Sequence, residues 1–162
     1  MTTTPTASIQ QINASDGGVP KTPLDVADVT ELGITVDRQR NTKAHGGPDR
    51  ALCLFSGDVI ETLRAEGHPI GPGDAGENMT LRGLDWAAVG PGSRLRLGES
   101  VLVEVTRYTT PCGHVAQFFS DGDFLQISQD ENPGRSRVYA RVLATGRLRP
   151  GDPVEVLPPN GG

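Results

Sequence analysis

Apolar and polar positions alternate most clearly over residues 100–108. Val101, Val103 and Val105 fall on one side of an extended chain, and Leu102, Glu104 and Thr106 on the other, because successive side chains of a strand point to opposite faces. Residues 94–97 form a second such run, and Gly98-Glu99 between the two predicts a hairpin turn. Shorter runs predict strands at 8–13, 24–30, 51–55, 78–81, 138–145 and 154–157. After 51–55 the period changes. Ser56 is placed as an N-cap, Asp58 suits a first helical turn, Val59, Ile60 and Leu63 give one apolar face, and Gly67 stops the helix. Helical turns are expected at 84–89 and 114–119. The stretches 14–23, 33–49, 68–76 and 109–113 read as loops, and 33–49 is long enough to suggest a functional one. The pattern predicts a mainly β, α+β domain of β-barrel-like form over residues 8–158, after a polar tail at 1–7.

Composition narrows this. A chain of 162 residues suits a single core, and with 35% hydrophobic and 4% aromatic residues that core must be aliphatic. The 21 glycines and 13 prolines are spread along the chain and fit turns between short strands. The net charge is -5 and no Lys/Arg run occurs, which argues against a nucleic-acid partner. No apolar run approaches the roughly 20 residues of a membrane helix. The N-terminus MTTTPTASIQQ lacks the basic and apolar regions of a signal peptide. A cytoplasmic location without membrane association is expected. Lys21 and Lys43 are the only lysines; the other basic side chains are arginines, which grip phosphate and carboxylate through a planar fork.

Four segments could carry chemistry. Residues 37–50, DRQRNTKAHGGPDR, combine Gly46 and Gly47, which let backbone N–H groups approach an anion, with Arg38, His45 and Arg50. Residues 73–80, GDAGENMT, could offer Asn78 and Thr80 to a polar ligand. Taken alone, each is better read as an ordinary loop. In residues 109–114, TTPCGH, Cys112 follows a proline at the end of a strong strand, where a thiolate could ligate a soft metal or attack an electrophile; an inert buried Cys is the alternative. In residues 135–142, RSRVYARV, alternation puts Arg135, Arg137, Tyr139 and Arg141 on one side, either facing solvent or lining an anion site. Cys53, inside an apolar run, reads as a small core hydrophobe. The chain lacks CxxC, HExxH, a GxGxxG after a strand, a GK[ST] phosphate loop and a GxSxG elbow.

Taken in order, GGVPKTP, VTELGI, DRQ, HGGPDRALCLFS, EGHP, GENMTLRGLD, LRLGESVLVEVT, PC and YARVL resemble the MOSC-domain proteins, the family of molybdenum cofactor sulfurase C-terminal domains and amidoxime-reducing enzymes. The likeness runs over nearly the whole chain and is nearest to the small bacterial stand-alone type. It implies a pyranopterin molybdenum cofactor (molybdopterin) ligated by one Cys, and Cys112 is the matching position. It also implies cofactor contacts from Arg38, His45, Gly46, Gly47, Arg50, Glu77 and Asn78, with Arg137 and Arg141 as further anion-binding candidates. Pyridoxal phosphate is not expected, because the chain has no room for a desulfurase domain. The implied activity is reductive removal of oxygen from N-hydroxylated compounds such as hydroxylaminopurines or amidoximes, with electrons from a separate flavoprotein or ferredoxin. A non-reducing carrier of the cofactor or of persulfide sulfur, and a metal-free binding domain, are the alternatives.

Overall fold

The computed structural model describes residues 7–15, 21–35 and 48–158, the side chain of Pro48 excepted. Its strands are β1 (Ser8–Ala14), β2 (Thr22–Leu24), β3 (Ala27–Thr30), β4 (Gly33–Ile34), β5 (Leu52–Ser56), β6 (Met79–Arg82), β7 (Arg94–Leu97), β8 (Val101–Tyr108), β9 (Val138–Ala144), β10 (Gly146–Leu148) and β11 (Val154–Val156). Helix α1 (Gly57–Ala65) follows β5, and 3-10 turns lie at Trp86–Ala88, Gly113–Phe118, Ser120–Gly122 and Phe124–Ile127. The mainly β class is as the alternation predicts.

Among the described residues the order β11-β7-β8-β9-β5-β6-β1-β2 forms one sheet, and β10-β3-β4 a second. The large sheet is not closed by a continuous ladder, so barrel-like describes it only loosely. Its edge strand β11 does approach β1, the neighbour of the other edge strand, at one point. Ser8 bridges Pro153, Ile9 N–H donates to Asp152 O, and Val154 N–H donates to Ala7 O. The expected strand at 24–30 is instead two, β2 and β3, which pair with different partners, β1 and β10. The turn at Gly98 is as expected, and its φ of 63° explains the glycine.

One face of the large sheet holds the main core, in which Ile9, Ile12, Leu52, Leu54, Leu95 and Val103 are buried. Bulges adjust which residues reach it. In β1 the register slips between Ile9 and Gln11, so Ile9 and Ile12, three apart, both face the core. In β8 it slips between Val105 and Arg107, so Arg107 rather than Thr106 opposes Tyr139. The opposite face of β5 carries a smaller core. There Phe55 packs with Ile60 and Leu63 of α1 and with Val115, Phe119 and Ile127 of the 3-10 segments. Ser56 caps α1 as expected, accepting from Val59 N–H at 3.1 Å, and Gly67 follows the helix at φ 101°.

Candidate functional site

Strand register assembles a polar row on the face away from the main core. Arg107 of β8 opposes Tyr139 of β9, and Tyr139 opposes Cys53 of β5. Cys53 exchanges backbone contacts with Asn78: its N–H donates to Asn78 Oδ1 at 2.8 Å, and Asn78 N–H donates to Cys53 O at 2.8 Å. Asn13 N–H then donates to Asn78 O at 2.7 Å. One row thus crosses five strands or strand entries, drawn from segments more than 100 residues apart.

The row is held from beneath by a buried network. Glu77 is 0% exposed and Asn78 1%. Glu77 Oε2 accepts from Gly73 N–H at 3.0 Å and from Thr80 Oγ1 at 2.8 Å. Asn13 Nδ2 donates to Glu77 O and to Thr80 Oγ1, each at 3.2 Å. Gly73, at φ 86°, is pressed against Lys21 O and Asn13, and Lys21 N–H donates back to Gly73 O at 3.0 Å. Arg137 is buried and donates through Nη1 to Ala75 O at 2.7 Å, tying β9 to the 73–77 loop. Glu77 Oε1 and Arg137 Nε are buried with no hydrogen-bond partner, so the floor retains one acceptor and one donor to satisfy.

Burial dominates the electrostatics. It pushes the Glu77 carboxyl up, against the Gly73 N–H, the Thr80 hydroxyl and Arg137. It also pushes the Cys53 thiol up, against Arg137 and Thr109. Burial likewise raises the Tyr139 phenol, with Cys53 adding and Arg137, Arg50 and Arg107 opposing. Cys53 and Tyr139 are therefore neutral groups near pH 7. Cys53 is buried as the sequence suggests, but its Sγ lies 3.9 Å from Thr109 Oγ1 and belongs to neither apolar cluster.

Cys112 is exposed, and both cysteines are free thiols. It precedes the Gly113–Phe118 turn, and its carbonyl accepts from Val115 N–H at 3.2 Å. The chain leading to it is fixed. Thr109 is buried, its N–H donates to Arg137 O at 3.0 Å, and Ser136 Oγ donates to Thr109 O at 3.3 Å. Three residues further on, the Cys112 Cα lies within about 11 Å of that of Thr109. The loop that carries the thiol is thus anchored at Thr109, whose Oγ1 lies 3.9 Å from Cys53 Sγ of the row.

The expected site residues separate into groups. Arg50 reaches the row, its guanidinium carbon 5.7 Å from the Tyr139 ring centroid, and Arg137 bonds to the 73–77 loop beneath it, while Cys112 follows three residues after the buried Thr109. Glu77 and Asn78, expected as cofactor contacts, are buried, with Glu77 Oε2 and Asn78 Oδ1 accepting from the chain and Glu77 Oε1 left without a partner. Arg141 is exposed and ion-paired with Asp49 at 3.7 Å and Glu104 at 3.5 Å. Arg135 lies off the strand and grips Glu66 at 2.8 Å. The four residues 135, 137, 139 and 141 do not share a strand face as alternation suggests, since β9 begins only at Val138. Arg38, His45, Gly46 and Gly47 lie outside the described residues. Arg107 was missed by sequence reasoning, because strict alternation puts it on the valine side of β8. Among the described residues no cluster of three or more His, Cys, Asp or Glu suits a metal ion, and no helix is long and apolar enough to cross a membrane.

Comparison with known proteins agrees with this architecture. The MOSC domain family model matches residues 41–155, and the chain belongs to that family, which is associated with molybdenum-cofactor binding. Protein YiiM of Escherichia coli is 32% identical over 134 residues, covering 80% of this chain and 58% of YiiM. A protein named Reductase from Gibberella moniliformis is 30% identical over 129 residues, covering 77% of this chain and 22% of its own. The crystal structure of YiiM from Geobacillus stearothermophilus superposes with a TM-score of 0.70 at 26% identity, covering 94% of this chain and 75% of that one. The chain therefore spans little more than half the length of the E. coli relative.

Proposed function

We propose that the protein binds a molybdenum cofactor through Cys112 and reduces N-hydroxylated compounds. The observation that carries this reading is one exposed thiol, tethered by Thr109 and Ser136 beside a polar row edged with guanidinium groups. The donor set fits such a group. A lone thiolate is a soft ligand suited to molybdenum, and Arg50 and its neighbours are suited to the cofactor's anionic end. The Reductase relative supports a redox role.

When bound, the cofactor would supply a two-electron reductant able to take up the oxygen of the N–OH group. The chain's own residues position it. Cys112 holds the metal, and the Thr109–Arg137 and Ser136–Thr109 hydrogen bonds keep the thiol's loop in place. The 73–77 loop, braced by Glu77 and Arg137, keeps the floor rigid. The net reaction converts N–OH, two electrons and two protons to N–H and water. The electrons come from a separate flavoprotein or ferredoxin.

The test is protein purified from a cofactor-competent host and from one blocked in pterin synthesis. Molybdenum content and turnover of a hydroxylaminopurine with an artificial reductant are measured on both. Molybdenum and turnover from the first host alone support the reading, and equal turnover from both sinks it. The exposure of Cys112 also suits a non-reducing carrier of the cofactor or of persulfide sulfur, and full molybdenum content without turnover would favour the cofactor carrier.

A further inference from the structure

The segment that carries Cys112 leaves the sheet after β8 and returns to it at β9, so its two ends form a neck. Thr109 N–H donates to Arg137 O at 3.0 Å across that neck, and Thr109, Ser136 and Arg137 are all buried. A third stretch, residues 86–90 between β6 and β7, braces both sides of it. Trp86 is buried, and its Nε1–H donates to Ser136 O at 2.7 Å. A Cβ added at Gly134 would meet Ala87 Cβ at 3.3 Å, and one added at Gly90 would meet the Tyr108 hydroxyl at 2.6 Å. The brace therefore touches the end of β8 through Tyr108 and the approach to β9 through Gly134 and Ser136.

The Trp86 ring packs in the main core, which accounts for its apolar atoms. Its one polar atom is a donor, and the bond it makes fixes the planar peptide that joins Ser136 to Arg137. Arg137 passes that constraint to two places. Its O accepts from Thr109 N–H, three residues before Cys112, and its Nη1 donates to Ala75 O at 2.7 Å.

We infer that Trp86 is a positioning residue for Cys112. Its indole N–H sets the Ser136–Arg137 peptide, that peptide holds Thr109, and Thr109 fixes where the thiol's loop begins. The inference rests on the function proposed above only for the metal that the thiol would hold.

Trp86 is the sole tryptophan of the chain, so a tryptophan analogue supplied during expression alters this position alone. Benzothienylalanine puts sulfur in place of the indole N–H and keeps the size of the ring. 5-Fluorotryptophan keeps the donor and serves as the rescue. Trp86→Phe repeats the loss of the donor genetically. Ser56→Ala, which removes the cap of α1, controls for a general loss of stability. Amide exchange is followed on cofactor-free protein at Thr109, bonded to Arg137 O, at Val115, bonded to Cys112 O, and in β1 as the remote reference. Molybdenum retention and the separate kcat and KM are measured on protein from a cofactor-competent host. Without the donor, exchange at Thr109 and Val115 should quicken about tenfold relative to β1, molybdenum should be lost faster and kcat should fall with KM little changed. The fluorinated protein and Ser56→Ala should match wild type in the ratio of loop to β1 exchange. Unchanged exchange at Thr109 and Val115, an increase shared equally by β1, or faster exchange with undiminished molybdenum retention overturns the inference. Wild type that takes up no molybdenum defeats the cofactor reading, while the exchange pattern still decides whether Trp86 holds the Cys112 loop.

Discussion

Cys53 of β5 and Tyr139 of β9 are direct partners across an antiparallel ladder, and both side chains are buried on the sheet face away from the main core. The pairing places a thiol and a phenol side by side. Burial pushes both groups up from their ordinary values, and Cys53 further discourages ionisation of Tyr139. The site is thereby built over a neutral pair flanked by arginines, with the exposed thiol in the neighbouring loop.

This separates the two cysteines in reactivity. A thiolate is the nucleophile in alkylation and exchange, so the buried Cys53, held neutral, should react slowly and Cys112 quickly. Titration of native protein with a thiol reagent should count one fast thiol, and unfolded protein two. Two fast thiols in the native protein would contradict the burial of Cys53. Cys112→Ser should change stability by less than about 0.5 kcal/mol, because the side chain is exposed. It should nevertheless abolish molybdenum retention and turnover. Retained turnover would remove Cys112 from the metal.

Gly73 should be intolerant of substitution. Its φ of 86° suits glycine, and an added Cβ would meet Lys21 O at 2.6 Å and Asn13 Oδ1 at 3.1 Å. Gly92, at φ 92°, has nothing within 4 Å of that position. Gly92→Ala should therefore cost about 1 kcal/mol from backbone strain alone. Gly73→Ala should cost about 2 kcal/mol or more beyond that, through crowding and the loss of the Glu77 contact. Urea denaturation of both variants measures the difference. Equal costs would show that the close approach at Gly73 carries no energy.

Glu77 gives a pH signature. Its folded-state pKa is raised, mainly by burial. A raised carboxyl contributes stability that is fully present below the unfolded pKa, near 4.5, and is lost as pH rises towards the folded value. Glu77→Gln keeps an oxygen to accept from Gly73 N–H and Thr80 Oγ1 but cannot ionise. The melting temperature of the variant relative to wild type should therefore rise as pH increases above about 4.5. A difference that falls with pH would mean that Arg137 outweighs burial.

The cap of α1 offers a local check. Ser56 Oγ accepts from Val59 N–H at 3.1 Å and is 1% exposed. Ser56→Ala should cost about 1 kcal/mol, measured by thermal or urea unfolding. An unchanged midpoint would show that another group satisfies that donor.

What the sequence alone determined follows from short-range signals. The alternation of Val101, Val103 and Val105, the Ser56 cap, the Gly67 stop and the Gly98 turn are each decided by neighbours a few residues apart, and the structure has each of them. The ordered motifs also sufficed for the family and for the choice of Cys112 as the exposed thiol. The composition of the site was decided only by tertiary structure. Asn13, Cys53, Asn78, Arg107 and Tyr139 meet because five backbone segments pair in one register, and no local pattern encodes a register between distant strands. Arg107 shows the reason most sharply. The period-two pattern of β8 assigns it to the core side, but one inserted residue at the bulge reverses the alternation and turns its charge to the outer face. The burial of Glu77 and Asn78 was equally out of reach of the sequence, because the motif that names them cannot say that the fold uses Glu77 Oε2 and Asn78 Oδ1 to brace the chain beneath the site and leaves Glu77 Oε1 unpaired.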